Sequence, residues 1–294
     1  MSTKKATLVV VTCLKDQWQF EMLIRSLYKF VSPCQLLIIC NETEENFDCW
    51  IDWFSPIQKL FLKNFDVKIK KLHDYTDEID NYGGWIRQQI LKLFVSQDID
   101  TKEYIVLDSK NFFIKATNIT NIKRCAAHTN WRSNQLEKWI EYCCRELNYS
   151  YSNNLSVRST LTPYIFKTHV VKAMLKKWKS NNHFIDWFIT TGRRQEATHS
   201  EFVLYDIFEK YHGERNEVSD INFNFSTIWG KDLAEENNLD YHAYIVLEKY
   251  EKYDITVSGL HRSVFDYITL QELENFLKIL ECEVILPAIT PFNF

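Results

Sequence analysis

A chain of 294 residues with 46% hydrophobic and 15% aromatic content can bury a large core, and its length suits one large domain or two small ones. Its 39 acidic and 35 basic residues give a formal charge of −4 and are spread along the chain, which excludes a basic nucleic-acid footprint or membrane-surface arm, so nucleic acid is not an expected partner. The cysteines form no C-x-x-C pair, and the adjacent Cys143 and Cys144 suit neither a zinc site nor a secreted disulfide framework; reduced core residues are expected.

The opening MSTKKATLVVVTC holds two lysines and only a short apolar run, so neither a signal peptide nor a membrane span is expected. No apolar stretch reaches about 18 residues, and the expected location is the cytoplasm. TLVVVT (7–12) reads as a buried strand, and DQWQFEMLIRSLYKF (16–30) as a helix with Phe20, Leu23, Ile24, Leu27 and Tyr28 on one face. QLLIIC (35–40) is a second strand and VKIKKL (67–72) a third; WIRQQILKLFV (85–95) is helical before the strand YIVL (104–107). Continuous apolar strands with helices between them predict a mostly parallel sheet covered on both faces. Helices are expected over 133–147, 167–179 and 200–212, and strands at INFNF (221–225), AYIVL (243–247) and DITV (254–257). A last helix, TLQELENFLKIL (269–280), starts with Thr269 and Glu272 in capping-box spacing.

In parallel sheets ligands bind beyond the carboxyl ends of the strands. YIVLDSKNFF (104–113) puts Asp108 at such an end, with Lys110 and Asn111 in the following turn. A strand-terminal aspartate can simply cap a turn. Here Leu107, Phe112 and Phe113 anchor the polar group between buried residues, as a rigid site requires.

The segment YGGWIRQQILKLFVSQDIDTKEYIVLDSKNFF resembles a group of sugar-transferase-like proteins in which a Gly-Trp-x-x-Gln-Gln-x-x-Lys-Leu helix precedes a strand ending in Asp-x-Asp. THSEFVLYDIF (198–208) is similar to that group's Ser-Glu-Tyr-x-Leu-Tyr helix, and SGLHR (258–262) to its late histidine-bearing loop; together the matches span roughly residues 5 to 265. The resemblance implies an α/β GT-A-like fold of the nucleotide-diphospho-sugar transferases, a nucleotide-sugar donor and a carbohydrate acceptor. It further implies a single domain over 1–294, with a donor-binding half (1–115) and an acceptor-side half (116–294). In that fold the Asp-x-Asp carboxylates hold Mn²⁺ or Mg²⁺ against the donor diphosphate. Asp108 matches the first aspartate, but Lys110 stands at the last, and an ammonium cannot ligate a cation, though it can pair with phosphate directly. Asp108 and His261 are then the metal ligands that remain.

By the same resemblance Glu201 is a catalytic base or acceptor-binding carboxylate; it also fits the N3 position of a capping box with Thr198. His261 and Arg262 approach the diphosphate, and Thr12 and Asp16 in the first turn face the base, although Asp16 is equally a helix N-cap. Gln88 and Gln89 bond a sugar or position Asp108. Trp85 stacks on a sugar or packs in the core. Arg193 and Arg194 precede the Glu201 helix, where a solvated loop is the plainer reading. Gly83 and Gly84 ahead of a helix can admit an anion to backbone N–H groups, without P-loop spacing. The function expected is transfer of a sugar from a nucleotide-activated donor to a carbohydrate acceptor, with Asp108 and Glu201 at the chemistry. The alternative is a non-catalytic glycan- or nucleotide-binding module that keeps the fold. A nucleotidyltransferase would need a glycine-rich basic loop after the first strand, and VVTCLKDQWQ has none.

Overall fold

The computed structural model describes residues 6–80, 82–122, 134–151, 161–194, 200–213, 225–236, 238–253 and 255–287. Its elements run β1 (Ala6–Thr12), α1 (Gln17–Phe30), β2 (Gln35–Cys40), α2 (Glu44–Phe61), β3 (Asp66–Lys71), α3 (Gly84–Phe94), β4 (Glu103–Asp108) and β5 (Asn111–Phe113). They continue with α4 (Asn134–Glu146), β6 (Tyr164–Lys167), α5 (Thr168–Leu175), α6 (Asn181–Arg194), α7 (Glu201–Tyr211) and β7 (Phe225–Ile228), then α8 (Gly230–Glu236), α9 (Leu239–Tyr253), β8 (Val257–Leu260) and α10 (Leu270–Ile279).

The main sheet has the order β3-β2-β1-β4-β6, parallel except for the edge strand β6. Residues of β1 alternate between two cores. Leu8 and Val10 pack with Leu36 and Ile38 beneath Phe20, Leu23 and Ile24 of α1 and Trp50 and Phe54 of α2. Val9 and Val11 join Leu37 and Ile39 on the other face, against Ile90, Leu91 and Phe94 of α3 and apolar residues of α4 to α7. Burial on both faces accounts for the continuous apolar runs, each large side chain contributing roughly 1.5–3 kcal/mol. The edge strand β3 alternates half-buried Val67 and Ile69 with Lys68 and Lys70, a charged rim that discourages further strand pairing. The predicted α/β architecture, a mostly parallel sheet with helices on both faces, is present.

A second, three-stranded sheet has the order β5-β8-β7. It is reached directly from the first: β4 ends at Asp108, Ser109 and Lys110 make the turn, and β5 pairs antiparallel with β8. The Lys110 carbonyl accepts from Leu260 N–H at 3.0 Å. A Cβ at Gly259 would come 3.0 Å from Thr227 Oγ1 and 3.2 Å from the Lys110 carbonyl, so the close approach of β8 to its neighbours favours glycine here. Phe112, Ile228 and Leu260 of this sheet share a core with Ala243 and Val246 of α9 and Leu273 and Phe276 of α10. The capping box at Thr269 and Glu272 forms as predicted.

Several expectations are corrected. The strand expected at 243–247 lies inside α9, because buried Ala243 and Val246 flank Tyr244, which is 61% exposed, a helical rather than alternating period. No helix is predicted between the second and third strands, yet α2 spans Glu44–Phe61 with Pro56 inside it; Trp50 and Phe54, four residues apart, stack at 4.9 Å and bury its inner face. The helix predicted over 167–179 runs only from Thr168 to Leu175, after a strand, β6, and α6 follows it. Of INFNF only Phe225 is described, as the start of β7, and in DITV the strand β8 begins at Val257; residues 221–224 and 254 lie outside the described residues. Cys40, Cys143, Cys144 and Cys282 are buried and free, Cys13 and Cys34 are half-buried, and Cys49 is exposed, not core; Cys125 lies outside the described residues. Among the described residues no helix is long and apolar enough to cross a membrane.

Candidate functional site

Beyond the carboxyl ends of β1, β2 and β4 lies a cleft of about 610 Å³. Thr12, Asp16, Gln88, Asp108, Lys110, Glu201, His261 and Arg262 all line it. The fold brings them from five separate places: the turn after β1, the helix α3, the end of β4, the start of α7 and the turn after β8.

Asp108 is the most heavily coordinated group. Its Oδ1 lies 2.9 Å from Lys92 Nζ and accepts from Gln88 Nε2 at 3.2 Å. Its Oδ2 lies 2.5 Å from Lys110 Nζ and accepts from Thr162 Oγ1 at 2.9 Å. Its N–H donates to Asn111 Oδ1 at 2.8 Å. Burial would raise this carboxyl, but Lys110 and Lys92 outweigh it and hold the group well below the usual carboxylate range. Of the two roles considered for Gln88, contact with Asp108 is made.

Glu201 opens α7 and is 3% exposed. Its Oε1 accepts from Lys92 Nζ at 3.1 Å, and its N–H donates to Gln89 Oε1 at 3.3 Å. The capping-box reading is corrected: Ser200 is the N-cap, so Glu201 occupies the first helical position, and Thr198 lies outside the described residues. Burial raises the Glu201 carboxyl, and Lys92 only partly offsets this. Lys92 thus joins the two carboxylates from beneath. Burial would strip its proton, but the two anions outweigh that and keep it an ammonium.

Beside Lys110, whose Nζ lies 5.9 Å from the centroid of the Trp229 ring, His261 stacks on Trp229 with ring centroids 4.2 Å apart. Its Nδ1 accepts from Ser263 N–H at 3.2 Å, which leaves the hydrogen of the neutral ring on Nε2. Burial, Lys110 and Arg262 lower its pKa, against a smaller opposing effect of Asp108, so the neutral ring is favoured. Thr12 is buried and its Oγ1 accepts from Ser109 Oγ at 3.0 Å. Asp16 sits at the N-cap of α1 without a side-chain cap bond and accepts instead from Cys13 Sγ at 3.5 Å. Burial raises the Asp16 carboxyl, and it raises the Cys13 thiol to about 12, leaving that thiol unreactive.

This donor set does not suit Mn²⁺ or Mg²⁺. Both oxygens of Asp108 are engaged by four donors, two of them cationic. Among the described residues no three His, Cys, Asp or Glu side chains are grouped to hold a metal ion.

Lys92 is the main site residue that the sequence reading passes over, although it stands in the quoted helix motif. Buried Ile90, Leu91, Leu93 and Phe94 surround it, and a lysine that every helical neighbour marks as interior is the available signal. Trp229, Trp139 and Asn41 also line the cleft. Asn41 Nδ2 donates to the Gly84 carbonyl, which fixes the amide and leaves buried Oδ1 without a partner among the described residues; Gln89 Nε2 is in the same condition. An unmet acceptor and an unmet donor thus stand at the cleft among the described residues. Trp85 is 53% exposed at the cleft, not core. Arg193 and Arg194 close α6 rather than lying in a loop.

The fold and cleft define an α/β protein with a ligand site at the carboxyl edge of a parallel sheet. The chain belongs to the family described as "Family of unknown function (DUF6492)", whose model matches residues 3–251. No curated protein sequence matches it. Among solved structures, the chain is similar to the glycosyltransferase GlyE of Streptococcus pneumoniae TIGR4. Against the apo form the identity is 12% and the TM-score 0.44, covering 97% of this chain and 62% of that one. Against a second GlyE structure the values are 9% and 0.48, with coverage of 96% and 63%. The chain thus spans less than two thirds of those proteins, and a likeness at this level bears on neither activity nor substrate.

Proposed function

We propose that the protein transfers a sugar from a nucleotide-activated donor to a carbohydrate acceptor. One observation carries the reading: one cleft holds both a cationic group, Lys110 and Arg262 near His261, and a buried carboxylate, Glu201, of raised proton affinity. The cationic group suits a diphosphate, with Lys110 and Arg262 compensating the charge that develops as it leaves. Glu201 suits an acceptor hydroxyl. A bond forms between that hydroxyl oxygen and the anomeric carbon, the bond from that carbon to the diphosphate oxygen breaks, the electron pair leaves with the diphosphate, and the hydroxyl proton passes to Glu201. Trp85 offers an exposed ring for a sugar face.

A thermal melting screen against UDP-, GDP-, CMP- and dTDP-sugars tests this reading. A ligand at 100 times its Kd stabilises the fold by about 2.7 kcal/mol, and no shift with any of them overturns the reading. The engagement of both Asp108 oxygens favours one rival, a binding module without catalysis. A melting shift with no release of free nucleotide in the presence of acceptor glycans would select it.

A further inference from the structure

Asp108 and Glu201 come from different elements, β4 and α7, and share a single buried cation. Lys92 Nζ lies 2.9 Å from Asp108 Oδ1 and 3.1 Å from Glu201 Oε1, and its side chain is 5% exposed. Among the described residues Asp108 has one other cationic partner, Lys110, at 2.5 Å, whose side chain is 15% exposed and which lines the cleft. With all four ionised, the two ammoniums and two carboxylates balance. Both line the cleft, and of the two Lys110 is the more exposed to a ligand anion.

We propose, resting on the phosphate reading above, that Lys92 is a positioning residue that couples Glu201 to the donor's phosphates. When an anion draws Lys110 away from Asp108, Lys92 becomes the sole cation for two carboxylates, and Glu201 gains proton affinity. A phosphate brought into the cleft adds negative charge that acts in the same direction. Among the described residues, the charged groups that face Glu201 are Lys92 from α3 and Asp108 from β4, with Ser200 Oγ beside it at 3.4 Å. The raised starting affinity of Glu201 places its titration nearer neutrality than that of a solvent-exposed glutamate, where such a change matters. The consequence is an order of events: at a pH where Glu201 stays ionised, the base acquires its strength after the donor's phosphates are seated, and at lower pH it takes its proton from water and no longer serves as a base.

The test is calorimetry of inorganic pyrophosphate binding in buffers of different ionisation enthalpy, between about pH 5 and 8, for wild type and Glu201→Gln. Pyrophosphate protons and His261 contribute equally to both, so the difference isolates Glu201. A rise of about one pH unit in its affinity gives roughly half a proton of extra uptake at the midpoint. Wild type should show that excess, and Lys92→Arg should retain it. Equal proton counts in wild type and Glu201→Gln overturn the coupling while leaving the phosphate site intact. Failure of pyrophosphate to bind wild type at all overturns the phosphate reading and the coupling with it. Lys92→Met, if folded, should bind pyrophosphate with a smaller excess, only the direct field of the phosphate remaining; an excess as large as that of wild type overturns the role of Lys92, and the comparison of wild type with Glu201→Gln tests the coupling to Glu201 whether or not that variant folds.

Discussion

Lys110 Nζ stands 2.5 Å from Asp108 Oδ2, two residues along the turn that joins the two sheets. In the free protein the ammonium therefore serves the carboxylate that ends the strand, and a diphosphate must compete for it. Lys110→Ala should cost between about 1.5 and 3 kcal/mol of donor affinity, at the lower end because Asp108 already claims part of the charge. Donor binding should persist in EDTA and weaken as salt rises. Titration calorimetry with and without Mn²⁺ checks both; binding that needs the metal would sink the assignment. Lys110→Asp, which rebuilds Asp-x-Asp, should introduce a response to Mn²⁺.

Glu201→Gln should fold. Gln retains an oxygen for the Lys92 ammonium, and α7 holds Val203, Leu204, Ile207 and Phe208 in the core regardless. Turnover should fall by about 10² or more if the carboxylate takes the acceptor proton. A variant that turns over at the wild-type rate removes Glu201 from catalysis.

Lys92→Met leaves two carboxylates buried without their shared cation. The expected loss of stability is about 3–5 kcal/mol, read from the urea midpoint at constant m-value. Adding Glu201→Gln should restore part of it, since the second change removes one of the stranded charges. Strict additivity in that double-mutant cycle would show that the contact seen between the pair carries no coupling.

The two carboxylates also predict opposite pH behaviour. Asp108 is depressed in the folded state, so it supports the fold above its unfolded pKa of about 3.9, and that support is lost as pH falls through the folded value. Glu201 is raised, so its contribution is complete below the unfolded value of 4.5 and is lost as pH climbs through the folded one. Glu201→Gln should therefore flatten the decline in stability on the alkaline side of 4.5 and leave the acid limb unchanged. Chemical denaturation at a series of pH values decides it, and an unaltered decline counts against a raised Glu201.

His261 has a structural duty that sequence alone does not disclose. Its Nδ1 caps the short 3-10 turn Arg262–Asp266 by accepting from Ser263 N–H, so His261→Ala should lose about 0.5–2 kcal/mol of stability. His261→Asn keeps an acceptor for the cap while removing the Nε2 hydrogen. It should melt near wild type and still bind nucleotide sugar more weakly. Full affinity in that variant would exclude the imidazole from the donor site.

The sheet was legible because its strands are buried on both faces and so carry unbroken apolar runs such as TLVVVT and QLLIIC. The place of Asp108 at the cleft was legible because the carboxyl ends of parallel strands open onto such clefts. The helix α2 was not, because a central proline and an acidic start mask a buried face made mainly of Trp50 and Phe54. The stretch 243–247 misled because five adjacent residues cannot separate a strand from one turn of helix when Tyr244 is aromatic but exposed. Lys92 was hidden by its chemistry: a lysine reads as surface until the two carboxylates that hold it, 16 and 109 positions further along, are seen in contact. The tautomer and capping role of His261 depend on a backbone N–H two residues away, which no pattern of side chains encodes.

The turn between Asp108 and Asn111 has a consequence for where the chain can be cut. The family match stops at residue 251, within α9, but β8 and the turn bearing His261 and Arg262 come afterwards. β8 is the middle strand of the second sheet, and Gln19 Nε2 on α1 donates to its Leu260 carbonyl at 2.6 Å. A chain ended at residue 251 would leave β5 and β7 with no strand between them, strip Phe112 of its cover and open one wall of the cleft. The boundary suggested by sequence similarity is therefore not a boundary for folding, and fragments meant to carry this site must extend through α10.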